Sequence, residues 1–219
     1  MAYRPGQEII TNEEPFSHII GKKYRSQYCD WCAKKEAIFA IDQKMIKCNK
    51  CNEFSYCNLE CQRKAYAAYH KSECGKLKKI PSDIIPRMRD ILIFMGRTIK
   101  KVQNGGDKII AKLPDGTKRR FADLMAHEEE ILHVHTDLIA TFKTPWCQTF
   151  FEGATFEYLV SIFGKITINQ HGILSPSLDA CIGDALYIGA AAIGKKHALK
   201  MFDWFALITS CFWRENQFH

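Results

Sequence analysis

The chain has 219 residues, 47% of them apolar, 25% charged and 12% aromatic, and a formal net charge of +7. Such a composition suits one large domain or two small ones with a hydrophobic core, and it excludes a disordered, collagen-like or low-complexity chain. It also excludes a polytopic membrane protein, because no run of about 18 apolar residues is present.

The opening stretch, Met1 to Glu8, lacks the apolar core of a secretory signal, so a reducing nucleus or cytoplasm is the expected compartment. There, ten cysteines need a purpose other than disulfides. Charge is uneven: residues 1–80 carry 15 Lys/Arg against 9 Asp/Glu, while residues 81–219 carry 16 against 15. A basic first third suggests nucleic acid or an acidic partner until the cysteine chemistry is considered.

Seven of the ten cysteines lie between Cys29 and Cys74 and come in ordered pairs. Cys29 and Cys32 form one C-x2-C, Cys48 and Cys51 another, Cys57 and Cys61 a C-x3-C, and His70 and Cys74 an H-x3-C. A C-x2-C pair can turn both sulfurs onto one ion at about 2.3 Å. Residues four apart on a helix share a face, which suits the last two pairs. Eight ligands make two closed tetrahedral sites, and thiolates with one imidazole favour zinc over calcium, magnesium or square-planar copper. A disulfide framework would leave one of the seven cysteines unpaired and His70 unused. A 46-residue segment buries too little core to fold alone. Two zinc ions would supply its folding free energy, about 10–16 kcal/mol per site. Spacing alone does not decide between interleaved and sequential pairing of the four pairs.

Ligation also corrects the charge. Four thiolates on Zn²⁺ leave −2 and three with a neutral imidazole leave −1, so the loaded chain falls from +7 to +4 and the finger itself becomes slightly acidic. Only weak nucleic-acid binding is expected.

After the finger, Pro81-Ser82-Asp83 opens a predicted helix with the stripe Ile84, Ile85, Met88, Ile91, Leu92, Met95, Ile99 and Val102, ended by Asn104-Gly105-Gly106. Residues 108–121 read as a turn at Pro114-Asp115-Gly116 between two extended pieces. A second helix is predicted from about Ala122 to Phe142, with Leu124, Met125, Ile131, Leu132, Leu138, Ile139 and Phe142 inward. A third follows Thr144-Pro145 and buries Trp146, Phe150, Phe151, Leu159, Val160 and Phe163; Ile166-Thr167-Ile168 then reads as a short strand. His127 and His133 flank three glutamates but are six apart, not the four that a zinc-protease helix needs. Cys147, Cys181 and Cys211 read as small buried hydrophobes. The predicted class is α+β, mainly helical: a small two-zinc finger followed by helices.

Cys29-x2-Cys32, Cys48-x2-Cys51, Tyr56-Cys57-x3-Cys61-Gln62 and His70-x3-Cys74 together resemble the MYND zinc finger, with a longer stretch of 15 residues between Cys32 and Cys48. The resemblance implies interleaved pairing: Cys29, Cys32, Cys57 and Cys61 on the first zinc, and Cys48, Cys51, His70 and Cys74 on the second. It also implies a groove for proline-containing peptides or chromatin and regulatory proteins, with Gln62 and Tyr66 on its wall and Leu59 at a usually polar position.

The surrounding order is similar to the SMYD family of protein-lysine methyltransferases, in which a MYND finger interrupts a SET domain. The similarity rests on Arg4 through Phe16, on Phe163-Gly164-Lys165-Ile166-Thr167-Ile168-Asn169 as a strand after the insertion, and on Gly183-Asp184-Ala185-Leu186-Tyr187. It divides the chain into partial SET strands (1–28), the finger (29–74), a helical insertion (75–163), a partial SET core (164–188) and a tail outside the family (189–219). The family's Gly-x-Gly turn has no counterpart here, and its Asn-His-Ser-Cys-x-Pro-Asn segment after Tyr187 is replaced by a run from Ile188 to His197. A form incomplete in both SET halves is therefore expected, without S-adenosylmethionine binding or catalytic residues, and acting through protein interaction. The alternatives are an active S-adenosylmethionine-dependent methyltransferase and a DNA-binding finger.

Overall fold

The computed structural model describes residues 14–35, 45–112, 116–175 and 180–188. The tail of residues 189–219, Cys211 within it, and residues 4–13 of the segment before the finger lie outside the described residues. Strand β1 (Ser17–Ile20) leads into the finger, which holds β2 (Ile46–Lys47), β3 (Ser55–Tyr56), α1 (Leu59–Ala65), a π turn (Tyr66–His70) and α2 (Lys71–Glu73). Helix α3 (Pro86–Gln103) follows, then the hairpin strands β4 (Ala111–Lys112) and β5 (Lys118–Arg119). Four helices come next: α4 (Glu128–Val134), α5 (Thr136–Phe142), α6 (Pro145–Phe150) and α7 (Phe156–Asn169). Strands β6 (Gln170–Ser175) and β7 (Ala180–Leu186) close the described chain. The mixed, mainly helical class is the one the sequence predicts, and among the described residues no helix is long and apolar enough to cross a membrane.

Strand β7 is the centre of a three-stranded antiparallel sheet in the order β1-β7-β6, pairing Ser17 with Leu186 on one side and Gln170 with Leu186 on the other. Its residues Ile182 to Leu186 are buried, as a central strand covered on both faces requires. One continuous core runs from Phe16 and the finger cysteines through Leu92, Ile93, Phe94 and Met95 of α3 to Leu159, Phe163 and Ile166 of α7. Helix α3 is the hub, packing on β1, on the helical end of the finger and on α7.

Four expectations change. The first helix begins at Pro86, not near Pro81: proline fits the first helical position and forces the residue before it out of the helical region. Ile85 accordingly has ψ 142° and is 60% exposed, so it leaves the predicted stripe. Gly105 ends the helix in the left-handed conformation at φ 86°.

The second predicted helix is two, α4 and α5, separated at His135, whose φ of −110° and ψ of 46° are not helical. It also starts later, because His127 sits at φ 47° and residues 121–123 form a single 3₁₀ turn. Leu132 is exposed, while Leu124, Ile131, Leu138, Ile139 and Phe142 are buried.

The third helix likewise divides into α6 and α7 at Glu152 and Gly153, both at positive φ. Helix α7 restarts at Thr155, whose side chain accepts the Tyr158 N–H.

Finally, Ile166-Thr167-Ile168 is the last turn of α7, not a strand, so the resemblance's strand through Phe163–Asn169 is helical here. β-propensity yields to packing. Gly164 lies so close to the Ala126 carbonyl that a Cβ would come within 2.1 Å of its oxygen, and the Lys165 ammonium donates to the Ala122 and Leu124 carbonyls at 2.8 and 2.6 Å. Asn169 donates to the Met125 carbonyl at 2.9 Å. Residues 164, 165 and 169 fall within about 140° of one another around a helix, whereas in an extended chain Gly164 would face away from the other two.

Candidate metal centres

Each C-x2-C pair sits on a tight turn closed by the residue that follows it. The Ala33 N–H donates to the Cys29 carbonyl at 2.9 Å and the Asn52 N–H to the Cys48 carbonyl at 2.8 Å. Both residues take the left-handed conformation, at φ 55° and 58°. The two turns are then drawn together by β2 and β3. The Cys48 N–H donates to the Phe54 carbonyl, and the Asp30 N–H donates to the Ser55 carbonyl at 2.8 Å. That second bond lays the first turn along β3, so Cys57, next after β3, arrives beside Cys29 and Cys32.

Helix α1 then turns Cys61 back to the same place. Its N-cap Asn58 accepts the Cys61 N–H at 2.8 Å. Cys57 precedes the cap and lies outside the helix, so the C-x3-C pair spans a helix start and does not share a helical face. The π turn and α2 carry His70 and Cys74 to the second turn.

The structure thus brings Cys29, Cys32, Cys57 and Cys61 into one cluster and Cys48, Cys51, His70 and Cys74 into another, with all ligand atoms of each cluster within 4.8 Å of one another. Sulfurs lie 3.8 Å apart between Cys32 and Cys57, 3.4 Å between Cys57 and Cys61, and 3.7 Å between Cys48 and Cys74. A tetrahedron of Zn–S bonds has edges of about 3.8 Å, whereas a disulfide needs about 2.05 Å. His70 Nε2 is 3.3 Å from the Cys48 sulfur and 3.5 Å from that of Cys51, the spacing of a mixed nitrogen and sulfur edge. Donor type and spacing suit two zinc ions, and closed four-ligand sites of this kind are structural.

Around the second cluster lies a set of buried charges. Glu73 is one turn after His70, and its Oε1 accepts from His70 Nδ1 at 2.9 Å. Arg97 of α3 reaches a carboxylate beside each cluster. It donates to Glu73 Oε2 through Nε at 3.0 Å and to Oε1 through Nη2 at 2.8 Å. It also grips Asp30, next to Cys29, through Nη1 and Nη2 at 3.0 and 2.9 Å, and the His18 carbonyl through Nη1 at 3.1 Å. All five guanidinium N–H groups are used. The guanidinium carbon lies over the rings of Phe54 and Tyr69, at 4.5 and 4.1 Å from the ring centres. Burial would push the Glu73 carboxyl up, but Arg97 and His70 hold it down, at about 2.

A second charged set fastens the same helix. Arg25 pairs with Glu53 and Asp90, and Arg89 pairs with Glu53 at 3.1 Å.

Tyr66 and Gln62 lie along the helical end of the finger. Tyr66 is 48% exposed, with its ring centre 6.4 Å from that of His70, and Gln62 is half-buried. Leu59, two turns before Tyr66, is 59% exposed. Cys147 is fully buried and Cys181 half-buried, away from both clusters. His127 and His133 join no cluster of metal-ligating side chains among the described residues.

The sequence reading missed Asp30, Glu73, Arg97 and Tyr69. Two of them carry a signal: Glu73 falls three residues after His70, within helical reach, and Arg97 interrupts the otherwise apolar face of α3.

Residues 29–74 match the family model of the MYND finger. The chain is similar to the human histone-lysine N-methyltransferase SMYD3, with 30% identity over 110 residues, 50% of this chain and 23% of that protein. Human histone-lysine N-methyltransferase SMYD1 is 26% identical over 172 residues, 74% of this chain and 31% of that protein. A Dictyostelium discoideum SET and MYND domain-containing protein is 32% identical over 72 residues, 33% of this chain and 5% of that protein. The chain therefore spans less than a third of the length of these relatives. Residues 29–74 are a two-zinc MYND finger in a chain resembling the SMYD methyltransferases.

Proposed function

We propose that the chain is a zinc-dependent protein-interaction module that binds proline-containing peptides of regulatory or chromatin proteins through the face of α1 and the π turn. The observation that carries this reading is the pair Leu59 and Tyr66, seven residues apart on one helical face and 59% and 48% exposed, with Gln62 between them. Large apolar side chains left in water on a finger whose own core is filled are available to a partner. The flat ring of Tyr66 suits the pyrrolidine of a proline, and Gln62 can both donate to and accept from a peptide backbone. Nuclear or cytoplasmic residence goes with this reading, since the ligand thiols need reducing surroundings.

The methyltransferase relatives supply a second reading, an S-adenosylmethionine-dependent protein-lysine methyltransferase. What weighs against it is the sequence after Tyr187, where Ile188 to His197 replaces the polar segment that the resemblance leads one to expect. Methyl transfer needs the sulfonium donor held in line with a neutral amine, positioning that supplies about 7–11 kcal/mol of a barrier.

One pair of titrations tests both. The zinc-loaded chain should bind a proline-containing peptide, Gln62→Ala should weaken that binding without changing thermal stability, and Tyr66→Ala should weaken it further. Equal affinity in all three chains would refute the peptide face. Heat released on adding S-adenosylmethionine, together with methyl transfer to protein lysines, would establish the second reading instead.

A further inference from the structure

His70 faces the sulfurs of Cys48 and Cys51 with Nε2 and a carboxylate with Nδ1. An imidazole held in this way keeps its proton on Nδ1 and presents the Nε2 lone pair to the metal. Glu73 cannot become a competing ligand, because one oxygen faces both His70 and Arg97 and the other faces Arg97 alone. Arg97 in turn cannot swing away. Its five donors are all engaged, it lies over the rings of Phe54 and Tyr69, and it is buried. The ring of His70 is therefore oriented by a residue of α3, outside the finger.

We propose that Glu73 and Arg97 are positioning residues for the second metal centre: Glu73 fixes the ring of His70, Arg97 fixes Glu73, and metal retention there depends on this one contact from α3. The first centre has only thiolates and no such outer partner for a ligand ring. Asp30, its neighbour, is also held by the Tyr69 hydroxyl, which donates to its carbonyl at 3.0 Å and its Oδ2 at 3.2 Å. The two centres should thus respond differently to the same change. Removing an outer-shell partner of a histidine ligand lowers metal affinity by about 10–100-fold.

The test is metal release from the full chain into excess chelator, followed with a zinc indicator, beside cadmium NMR of the cadmium-loaded chain, which resolves the all-sulfur site from the site with one nitrogen. Glu73→Ala should speed release from the nitrogen-containing site by about 10–100-fold and broaden or shift its cadmium signal, leaving the all-sulfur site unchanged. Glu73→Gln keeps an acceptor for Nδ1 and nearly the same volume. It should keep the cadmium signal close to wild type while release quickens by about 10-fold or less. Arg97→Lys should speed release at the same site more than at the all-sulfur site, where the Tyr69 hydroxyl still holds Asp30. Asp90→Asn serves as the control: it removes a partner of Arg25 on α3 without touching Glu73, and should lower stability with release rates unchanged.

Equal acceleration at both sites in Glu73→Ala would overturn the proposal. So would acceleration in Asp90→Asn that matches Arg97→Lys. If Glu73→Ala does not fold, the isosteric Glu73→Gln and Arg97→Lys still decide the matter: wild-type release rates in both would overturn it.

Discussion

Arg97 lies 67 residues after Asp30, and the two meet face to face, Nη1 on one carboxylate oxygen at 3.0 Å and Nη2 on the other at 2.9 Å. Because Asp30 follows the ligand Cys29, and Glu73 on the same guanidinium precedes the ligand Cys74, one side chain of α3 ties both metal-binding turns to the helical part of the chain. The apolar core is continuous across the same boundary, from the finger cysteines to Met95. Finger and helix are joined by packing and by charge, and not merely by the chain between them.

Removing the cation alone should therefore be severe. Arg97→Met leaves the buried carboxylates of Asp30 and Glu73 without the cation they share, a change that costs about 3–5 kcal/mol in comparable buried pairs. Arg97→Lys restores the charge but offers three donors where five are used, and should fall between the two. Denaturant midpoints of the zinc-loaded proteins measure this. A loss below about 1 kcal/mol in Arg97→Met would show that the network is not needed for folding.

Metal removal supplies the second prediction. The chain should carry two zinc ions, and stripping both with chelator should unfold the finger while leaving much of the helical signal of α3 and α7. Trp31 reports on this, since its ring is stacked 6.2 Å from that of Tyr69 within the finger. In Cys29→Ala the zinc count should fall toward one, and the segment from Cys57 to Cys61 should lose protection together with the first turn. Elemental analysis giving two zinc ions in Cys29→Ala, or disorder confined to Cys48–Cys51, would contradict the clustering.

The two clusters could be read in the sequence as ligand types and pair spacings, because a metal accepts few donors and few geometries. Their interleaving could not be read from spacing. It follows from a hydrogen bond between Asp30 and Ser55 that no local pattern announces. The helices were legible as periodic apolar faces, but their ends were not. Pro86 as a start and Glu152 as a stop are single-residue backbone facts that a stripe of apolar residues passes straight through. Ile166 to Ile168 misled in the other direction: β-branched residues favour strands only weakly, and the packing of Gly164 and Lys165 against residues 121–126 outweighs that preference.

That packing gives the third prediction. Gly164→Ala would drive a methyl group to within 2.1 Å of the Ala126 carbonyl oxygen, a backbone atom that cannot rotate aside. Alanine's better helix propensity, worth about 1 kcal/mol, cannot offset such a clash. The variant should lose about 1–3 kcal/mol, read as a lower midpoint in thermal unfolding. A stabilised variant would mean that residues 121–126 do not lie against α7.

The last prediction concerns pH and stays clear of the metal ligands. Asp184 lies on the central strand β7, opposite Gly172 on one side and Ile19 on the other, and is 7% exposed. Burial pushes its carboxyl up to about 7, the nearby Asp90 carboxylate adds to this, and Arg87 opposes it. In the unfolded chain the same group ionises near 3.9. A raised folded value means that the native state holds this proton more tightly than the unfolded state does. Its contribution to stability is full below about pH 4 and is lost as pH rises toward 7, with a slope of at most about 1.4 kcal/mol per unit. Asp184→Asn is neutral throughout and has no such slope. The midpoint of the asparagine variant, measured relative to the parent, should therefore climb between about pH 4 and pH 7 and level off above that. Acid release of zinc affects both chains alike and cancels in the difference. A difference that stays flat with pH, or that shrinks as pH rises, would show that Asp184 is ionised in the native sheet across this range.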